Sequence, residues 1–232
     1  MSEMPPIDPG PVPPRPAPGL PWEEPSASLG SIFPTAMLFI ASPIEAFSKM
    51  SLTVDLVRPI AYFVAWALVG ACLSQVWSFL LFDSIIGVVR SLAGSQFEKL
   101  APFMHRPGAL QLIFGLVVAP LIALIILFVW TALVHLVLTV LGGANRGFAA
   151  TLRVMCYAET TQIAVVLPGL GGLFAFVWAL IVEVVGLSQA HKTEGWKAAL
   201  AVLLPLLLCC VCLAAGVAAF GAAVGQALQQ FK

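Results

Sequence analysis

Two long stretches of this sequence, residues 60–82 and 109–140, contain no aspartate, glutamate, lysine or arginine. An α-helix needs about 20 mainly apolar residues to cross the ~30 Å hydrocarbon core of a bilayer. Both stretches exceed that length. Across the chain, 9% of residues are charged and 60% are hydrophobic, against about 25% and 45–50% in an average soluble domain. A globule of this size cannot bury so much apolar surface, so the sequence predicts an integral membrane protein.

The succession of apolar stretches predicts an all-α fold: a polytopic membrane helix bundle with five transmembrane helices and additional interfacial amphipathic helices. The third stretch is short and partly polar. If it only skims the membrane surface, residues 163–186 form one span broken at Pro168, and four spans remain. The five predicted spans are residues 60–82, 109–140, 151–167, 172–187 and 198–224.

Three segments outside these spans have distinct compositions. Residues 1–28 hold ten of the 18 prolines, which predicts a disordered, proline-rich cytoplasmic tail. Residues 29–57 mix apolar and charged side chains and are predicted to form an interfacial amphipathic segment, helical over 43–57. Residues 83–103 are predicted to form a second interfacial helix. The transmembrane domain is predicted over residues 58–226.

The distribution of lysine and arginine predicts the orientation of the chain. With five spans, the side that holds the N-terminus carries seven of these residues and the opposite side carries four. The more positive side faces the cytoplasm, so the N-terminus is predicted to be cytoplasmic and the C-terminus outside. With four spans the counts are six and five, and the greater asymmetry favours five spans.

The third predicted span carries a polar face. Arg153, Tyr157 and Thr160 are spaced at i, i+4 and i+7, which places them on one side of a helix. A polar side chain in a span needs a partner or water, so this face must point at other helices or at a cavity. Glu159 lies in the same span, and Gln162 could form a hydrogen bond with it at i+3. Arg153 is near the end of the span and could instead snorkel to the interface.

Glu183, in the fourth span, lies in a row of small residues that would let another helix approach closely. The candidate intramembrane polar cluster is therefore Arg153, Tyr157, Glu159 and Glu183, with His135 and His191 as weaker candidates. These groups could converge as a proton or metal site, or they could serve only as structural hydrogen-bonding groups. The row of small residues consists of Ala175, Ala179, Gly186 and Ala190.

No catalytic or metal-binding motif accompanies these residues. The sequence has no paired CxxC, no HExxH helix pair, no GxSxG nucleophile elbow and no phosphate-binding GxxxxGK[ST] loop. The five cysteines all lie in apolar stretches and are interpreted as packing residues. We therefore expect no enzymatic activity, no metal and no cofactor. The net charge of zero gives no indication of nucleic-acid binding.

A GxxxG motif, Gly221 to Gly225, lies in the last apolar stretch. Such a motif allows two helices to pack closely. It predicts either a homo-oligomer formed through Gly221 and Gly225 or close packing within the bundle.

Several short motifs, taken in their order along the chain, resemble those of the Yip family, small membrane proteins first known as partners of Ypt/Rab GTPases. The resemblance covers about residues 21–215. The motifs are Pro21-Trp22-Glu23, Phe33, Thr35, Pro43, Phe47, Arg58-Pro59, the run 147–158 (GFAATLRVMCYA), Leu167-Pro168, Trp178, Val185-Gly186-Leu187, His191, Lys197-Ala198-Ala199 and Pro205.

The resemblance implies five spans, a cytoplasmic N-terminus and a short external C-terminus, in agreement with the charge count. The chain is more similar to the prokaryotic branch of the family, which implies the cell (inner) membrane if the source is bacterial. The Asp-Leu-Tyr-Gly-Pro segment associated with eukaryotic members is absent, which argues against a Rab-type GTPase partner.

Two functions follow as hypotheses. The first is a non-enzymatic Yip-family protein that organises or scaffolds the membrane through its bundle and its interfacial helices. The alternative is a small transporter, channel or lipid-moving protein that uses the polar groups of spans three and four. The alternative requires Tyr157, Glu159 and Glu183 to line a water-accessible cavity. The first hypothesis expects a dry helix contact.

Overall fold

The computed structural model describes residues 19–53, 55–106 and 108–230 of the chain. Within these residues all regular structure is helical, which confirms the predicted all-α fold. The α-helices are α1 (Ile32–Ala41), α2 (Pro43–Lys49), α3 (Val57–Leu80), α4 (Phe82–Ala93), α5 (Phe97–Leu100), α6 (Ala109–Val140), α7 (Gly147–Ala158), α8 (Gly171–His191) and α9 (Gly195–Gln230). Short 3₁₀ helices cover Leu29–Ser31, Gly94–Gln96, Ala101–Phe103 and Glu159–Val166.

Four of these helices, α3, α6, α8 and α9, are long and apolar enough to cross a membrane. Large apolar side chains cover their outer surfaces, as at Ile113, Val117 and Ile125 of α6. Side chains of this kind are stable on an outer surface only when lipid surrounds it. The chain is therefore a multi-pass integral membrane protein, as the sequence predicts.

The third predicted span is built differently from the other four. Helix α7 ends at Ala158, and the chain continues as a 3₁₀ helix from Glu159 to Val166. At ~1.5 Å per residue in the α-helix and ~2.0 Å in the 3₁₀ helix, the two parts together reach about 34 Å. Every residue from Ala150 to Ala158 is buried, because α3, α6 and α8 surround this segment. The structure therefore contains four helices that could cross a membrane among the described residues, and the third predicted span is instead a largely enclosed segment of two parts.

The N-terminal region packs on the bundle and contributes to its core. Phe39 of α1 and Phe47 of α2 are buried together, with ring centroids 4.8 Å apart. Helix α2 ends at Lys49, so the helix in this region is shorter than the predicted 43–57. Residues 1–18 of the predicted proline-rich tail lie outside the described residues.

The row of small residues on α8 has the predicted effect at Gly186. A Cβ atom built there would lie 2.5 Å from Val154 Cγ1 and 2.6 Å from Phe47 Cζ. Helices α2 and α7 therefore approach α8 as closely as they do because position 186 has no side chain. The Phe47 ring is held against Phe39 and cannot swing away.

We expect Gly186→Ala to lower the free energy of unfolding by about 1–3 kcal/mol, the usual cost of overpacking a core. Gly172→Ala is the matched control on the same helix, because a Cβ atom there meets nothing within 4 Å. Thermal unfolding of the purified protein in detergent measures both effects. Equal stability of the two variants would contradict this account of the α2–α7–α8 packing.

Candidate functional site

The predicted polar cluster divides into two groups with different surroundings. Arg153 and Tyr157 face the N-terminal region of the chain, whereas Glu159 and Glu183 face a cavity on another side of the bundle. Glu159 follows Tyr157 by two residues, and at about 100° per residue the two side chains point to nearly opposite sides of the segment.

Tyr157 is bound to a glutamate far away in the sequence. Its hydroxyl donates a 2.8 Å hydrogen bond to Oε1 of Glu23, and the Ser51 amide donates a 2.7 Å bond to Oε2. Glu23 is only 9% exposed. The sequence indicated Glu23 only as part of a family motif, not as the partner of Tyr157.

Trp22, the residue before Glu23, joins the N-terminal segment to the start of α3. Its indole Nε1 donates a 2.7 Å hydrogen bond to the Arg58 carbonyl oxygen. In return, Arg58 Nη1 donates a 3.2 Å bond to the Trp22 carbonyl oxygen. The Trp22 amide also donates to Thr35 Oγ1 of α1 at 3.0 Å. Residues 22 and 23 thus form hydrogen bonds with three separate helices, α1, α3 and α7.

Two opposing influences act on the Glu23 carboxyl group. Burial raises the pKa of Glu23 above that of an ordinary glutamate. The hydrogen bonds from the Ser51 amide and Tyr157, and the positive charges of Arg153 and Arg58, lower it by a smaller amount. Glu23 is therefore a desolvated acid held among donors, and Arg153, which is buried, lies within its electrostatic reach.

We expect Glu23→Ala to lower the free energy of unfolding by about 2–4 kcal/mol, because it removes the acceptor of two buried donors and an anion near a buried guanidinium. Glu23→Gln should cost less, because its side-chain oxygen can accept from the Ser51 amide and its NH2 group can donate to the Tyr157 hydroxyl oxygen. Thermal unfolding at neutral pH compares the two variants with the parent protein. Equal losses for the two substitutions would contradict this assignment.

The raised pKa of Glu23 also predicts how stability depends on pH. The folded chain holds the Glu23 proton more tightly than the unfolded chain does. This contribution to stability is complete below the unfolded pKa and is lost as the pH rises through the folded pKa. Relative to Glu23→Gln, the melting temperature of the parent protein should therefore rise as the pH falls from about 7 to about 4. A constant difference between the two proteins across this range would refute it.

The two histidines, the weaker candidates, meet through a threonine of α7. Thr151 Oγ1 lies 2.8 Å from His135 Nδ1 and 2.9 Å from His191 Nε2. The Arg146 amide donates to His191 Nδ1 at 3.2 Å, so a neutral His191 carries its proton on Nε2 and donates it to Thr151. The Thr151 hydroxyl can then donate to His135. This chain of hydrogen bonds joins α6, α7 and α8. The sequence indicated Thr151 only as part of the family run 147–158.

Glu159 and Glu183 line one cavity of about 510 Å³ between α3, the 3₁₀ helix and α8. Along α8 the lining runs from Gly172 to Glu183, a distance of about 16 Å at ~1.5 Å per residue. At the end away from Glu183 lie Leu81 and Leu167, where α3 has ended and α8 has not yet begun. The cavity thus reaches from one end of the bundle to its interior.

A second, smaller cavity of about 240 Å³ lies on the other side of the two glutamates, beside α6. Glu159, Gln162 and Glu183 line both cavities. Trp130 of α6 donates a 3.3 Å hydrogen bond from Nε1 to Glu183 Oε2, and Gln162 is the hydrogen-bonding partner of Glu159. The structure therefore places Glu159 and Glu183 on the same cavities, whereas Arg153 and Tyr157 line neither of them.

The comparison with protein-family models gives one match, to the family described as Yip1 domain, over residues 37–216. No curated protein and no solved structure matches the chain.

Proposed function

This chain belongs to the Yip1 domain family, and from that premise we propose that it is a non-enzymatic membrane protein that organises its bilayer. The proposal includes a cytoplasmic N-terminus and an external C-terminus, as the charge count predicts.

A homo-oligomer through Gly221 and Gly225 also stays a proposal. It is supported by Gly221, where a Cβ atom meets nothing within 4 Å. The surroundings of Gly225 lie outside the described side chains.

The observation that carries the proposal is the amphipathic helix α4. Ile85, Val88 and Leu92 lie along one side of it at i, i+3 and i+7, whereas Asp83 and Arg90 lie on the opposite side. None of the residues of α4 is buried, and Val88 and Leu92 are 57% and 83% exposed. A helix of this kind lies in the interface plane with its apolar side inserted among lipid acyl chains.

Helix α4 is fixed to the bundle at its beginning. It starts directly after α3, and Arg106 forms an ion pair with Asp83. The Arg106 guanidinium also lies 5.1 Å from the centroid of the Phe79 ring in α3, a distance at which a cation and a ring attract each other. An interfacial helix anchored in this way inserts into one leaflet at a fixed position beside the spans, which favours local bending of the bilayer.

We expect the full-length protein, reconstituted into vesicles of defined composition, to reduce vesicle diameter as the protein-to-lipid ratio rises. The double variant Val88→Asp/Leu92→Asp should abolish this reduction, because two charges on the apolar side prevent insertion. Electron microscopy of the frozen vesicles provides the measurement.

The matched control is Gly87→Asp/Ser91→Asp, which adds the same two charges to exposed positions outside the apolar side of α4. This control should bend vesicles as the parent protein does. If the apolar-side variant also does so, or if the parent protein leaves the diameter unchanged, the proposed function of α4 is wrong.

The alternative, a small transporter, channel or lipid-moving protein, is supported by the larger cavity, which Glu159 and Glu183 line but Tyr157 does not.

In a cysteine-free background, single cysteines replacing Glu159 or Glu183 should then react with a membrane-impermeant thiol reagent. A cysteine replacing the enclosed Tyr157 should not, and one replacing the exposed Arg146 is the positive control. Lack of reaction at both 159 and 183 in folded protein would rule out an aqueous path and this alternative with it.

A further inference from the structure

The larger cavity has a lining that identifies the chemical class of a ligand. We propose that it binds a ligand carrying an ammonium group, with the carboxylates of Glu159 and Glu183 as the countercharge at its inner end. This inference is separate from the membrane-organising role of α4 and does not depend on it.

The 3₁₀ helix is the first observation that supports such a site. It runs for eight residues, whereas runs of 3₁₀ helix longer than three or four residues are uncommon. With three residues per turn, side chains at i and i+3 eclipse each other, so Glu159, Gln162 and Val165 form one straight row. All three line the cavity. In an α-helix the same residues would turn progressively away from it, by about 60° per step.

The charge of the lining is the second observation. Two carboxylates line the cavity, and its lining contains no lysine, arginine or histidine among the described residues. The partners that the structure gives these carboxylates, the Trp130 indole and the Gln162 amide, are neutral. Ionisable groups inside a bundle normally pair with an opposite charge or mark the path of a ligand. A cationic ligand supplies the charge that the lining lacks.

The remaining lining distinguishes an organic ammonium group from a bare metal ion. No group of three or more His, Cys, Asp or Glu side chains in the described part of the chain could hold a metal ion. Instead, Trp77 and Phe176 line the same cavity as the glutamates, and aromatic faces attract ammonium groups. A volume of about 510 Å³ is also within the usual range for a small organic ligand, about 300–1,000 Å³.

The outer end of the cavity is apolar and adjoins lipid. Leu81, Leu167 and Ile85 line it there, and Ile85 belongs to the apolar side of α4. An ammonium group could therefore enter on the headgroup of a lipid such as phosphatidylethanolamine or as a free water-soluble amine. Both sources present the same chemistry to Glu159 and Glu183, and the experiment separates them.

Native mass spectrometry of the full-length protein in detergent measures the binding of two lipids. Phosphatidylethanolamine carries an ammonium group and phosphatidylglycerol does not. In parallel, ethanolamine is the soluble probe, and thermal unfolding is the readout. We expect retention of phosphatidylethanolamine if the source is a lipid, or stabilisation by ethanolamine if it is a free amine. Binding of both lipids to the same extent, with no effect of ethanolamine, would overturn the proposal.

Two kinds of variant test the site itself. Glu159→Gln/Glu183→Gln keeps the side-chain shapes and should weaken binding about tenfold or more, because the countercharge is lost. Ala179→Leu leaves both carboxylates in place and should weaken binding by filling the cavity, which Ala179 lines. Glu45→Gln, an exposed glutamate paired with Lys49, is the control and should bind as the parent protein does.

The variants also separate a ligand site from a merely structural pair of glutamates. If the double glutamine variant fails to fold, Ala179→Leu still tests the site, since it removes space but no polar group. Unchanged binding in folded Ala179→Leu or in the folded glutamine variant would show that the ligand binds elsewhere and would refute the assignment. Neither result depends on vesicle bending by α4, so the two proposals fail independently.

Discussion

The structure depends on one constraint: the segment from Gly147 to Val166 carries several polar side chains and lies largely inside a bundle that lipid surrounds. Hydrocarbon can neither donate nor accept hydrogen bonds, so every polar group of this segment needs a partner from the protein. Each neighbouring element supplies one. The N-terminal segment brings Glu23 to Tyr157, and α3 brings the Tyr62 hydroxyl to within 2.6 Å of Thr160 Oγ1. Helices α6 and α8 bring the two histidines to Thr151.

The segment from Gly147 to Val166 borders two physical environments. In α7 the polar side chains are enclosed: Tyr157 stacks on Phe39 with ring centroids 5.0 Å apart, and Tyr62 lies at the same distance. In the 3₁₀ helix the Glu159 and Gln162 side chains instead face open volume, because the tighter helix keeps them in line. In a continuous α-helix these two side chains would be offset by about 60°. One short stretch of chain therefore contributes both to the packed interior of the bundle and to the wall of the cavity.

The four lipid-facing helices could be predicted from sequence because lipid imposes its requirement on each residue locally. Long runs without charge have few other stable environments, and the predicted span 109–140 coincides with α6. The spacing of Arg153, Tyr157 and Thr160 predicted a shared face for a similar local reason. Arg153 and Tyr157 lie in α7, where the α-helical period holds, and Thr160 follows the end of α7 by two residues. The same period places Glu159 nearly opposite Tyr157. It could not show that Glu159 faces a cavity, because the cavity depends on the packing of this segment against α3 and α8.

The contact between Glu23 and Tyr157 could not be predicted from the sequence. It also shows which part of the chain belongs to the folded unit. The two residues are 134 positions apart, and neither position alone indicates a partner. The family match begins at residue 37, yet Trp22 and Glu23 form buried or half-buried hydrogen bonds with Arg58 and Tyr157 inside the matched region. If the chain began at residue 37, the Tyr157 hydroxyl would lose its acceptor, and Arg153 would lose a nearby anion, in a region where neither water nor lipid replaces them easily. The unit that folds therefore extends beyond the unit that the family comparison recognises, at least as far as Trp22.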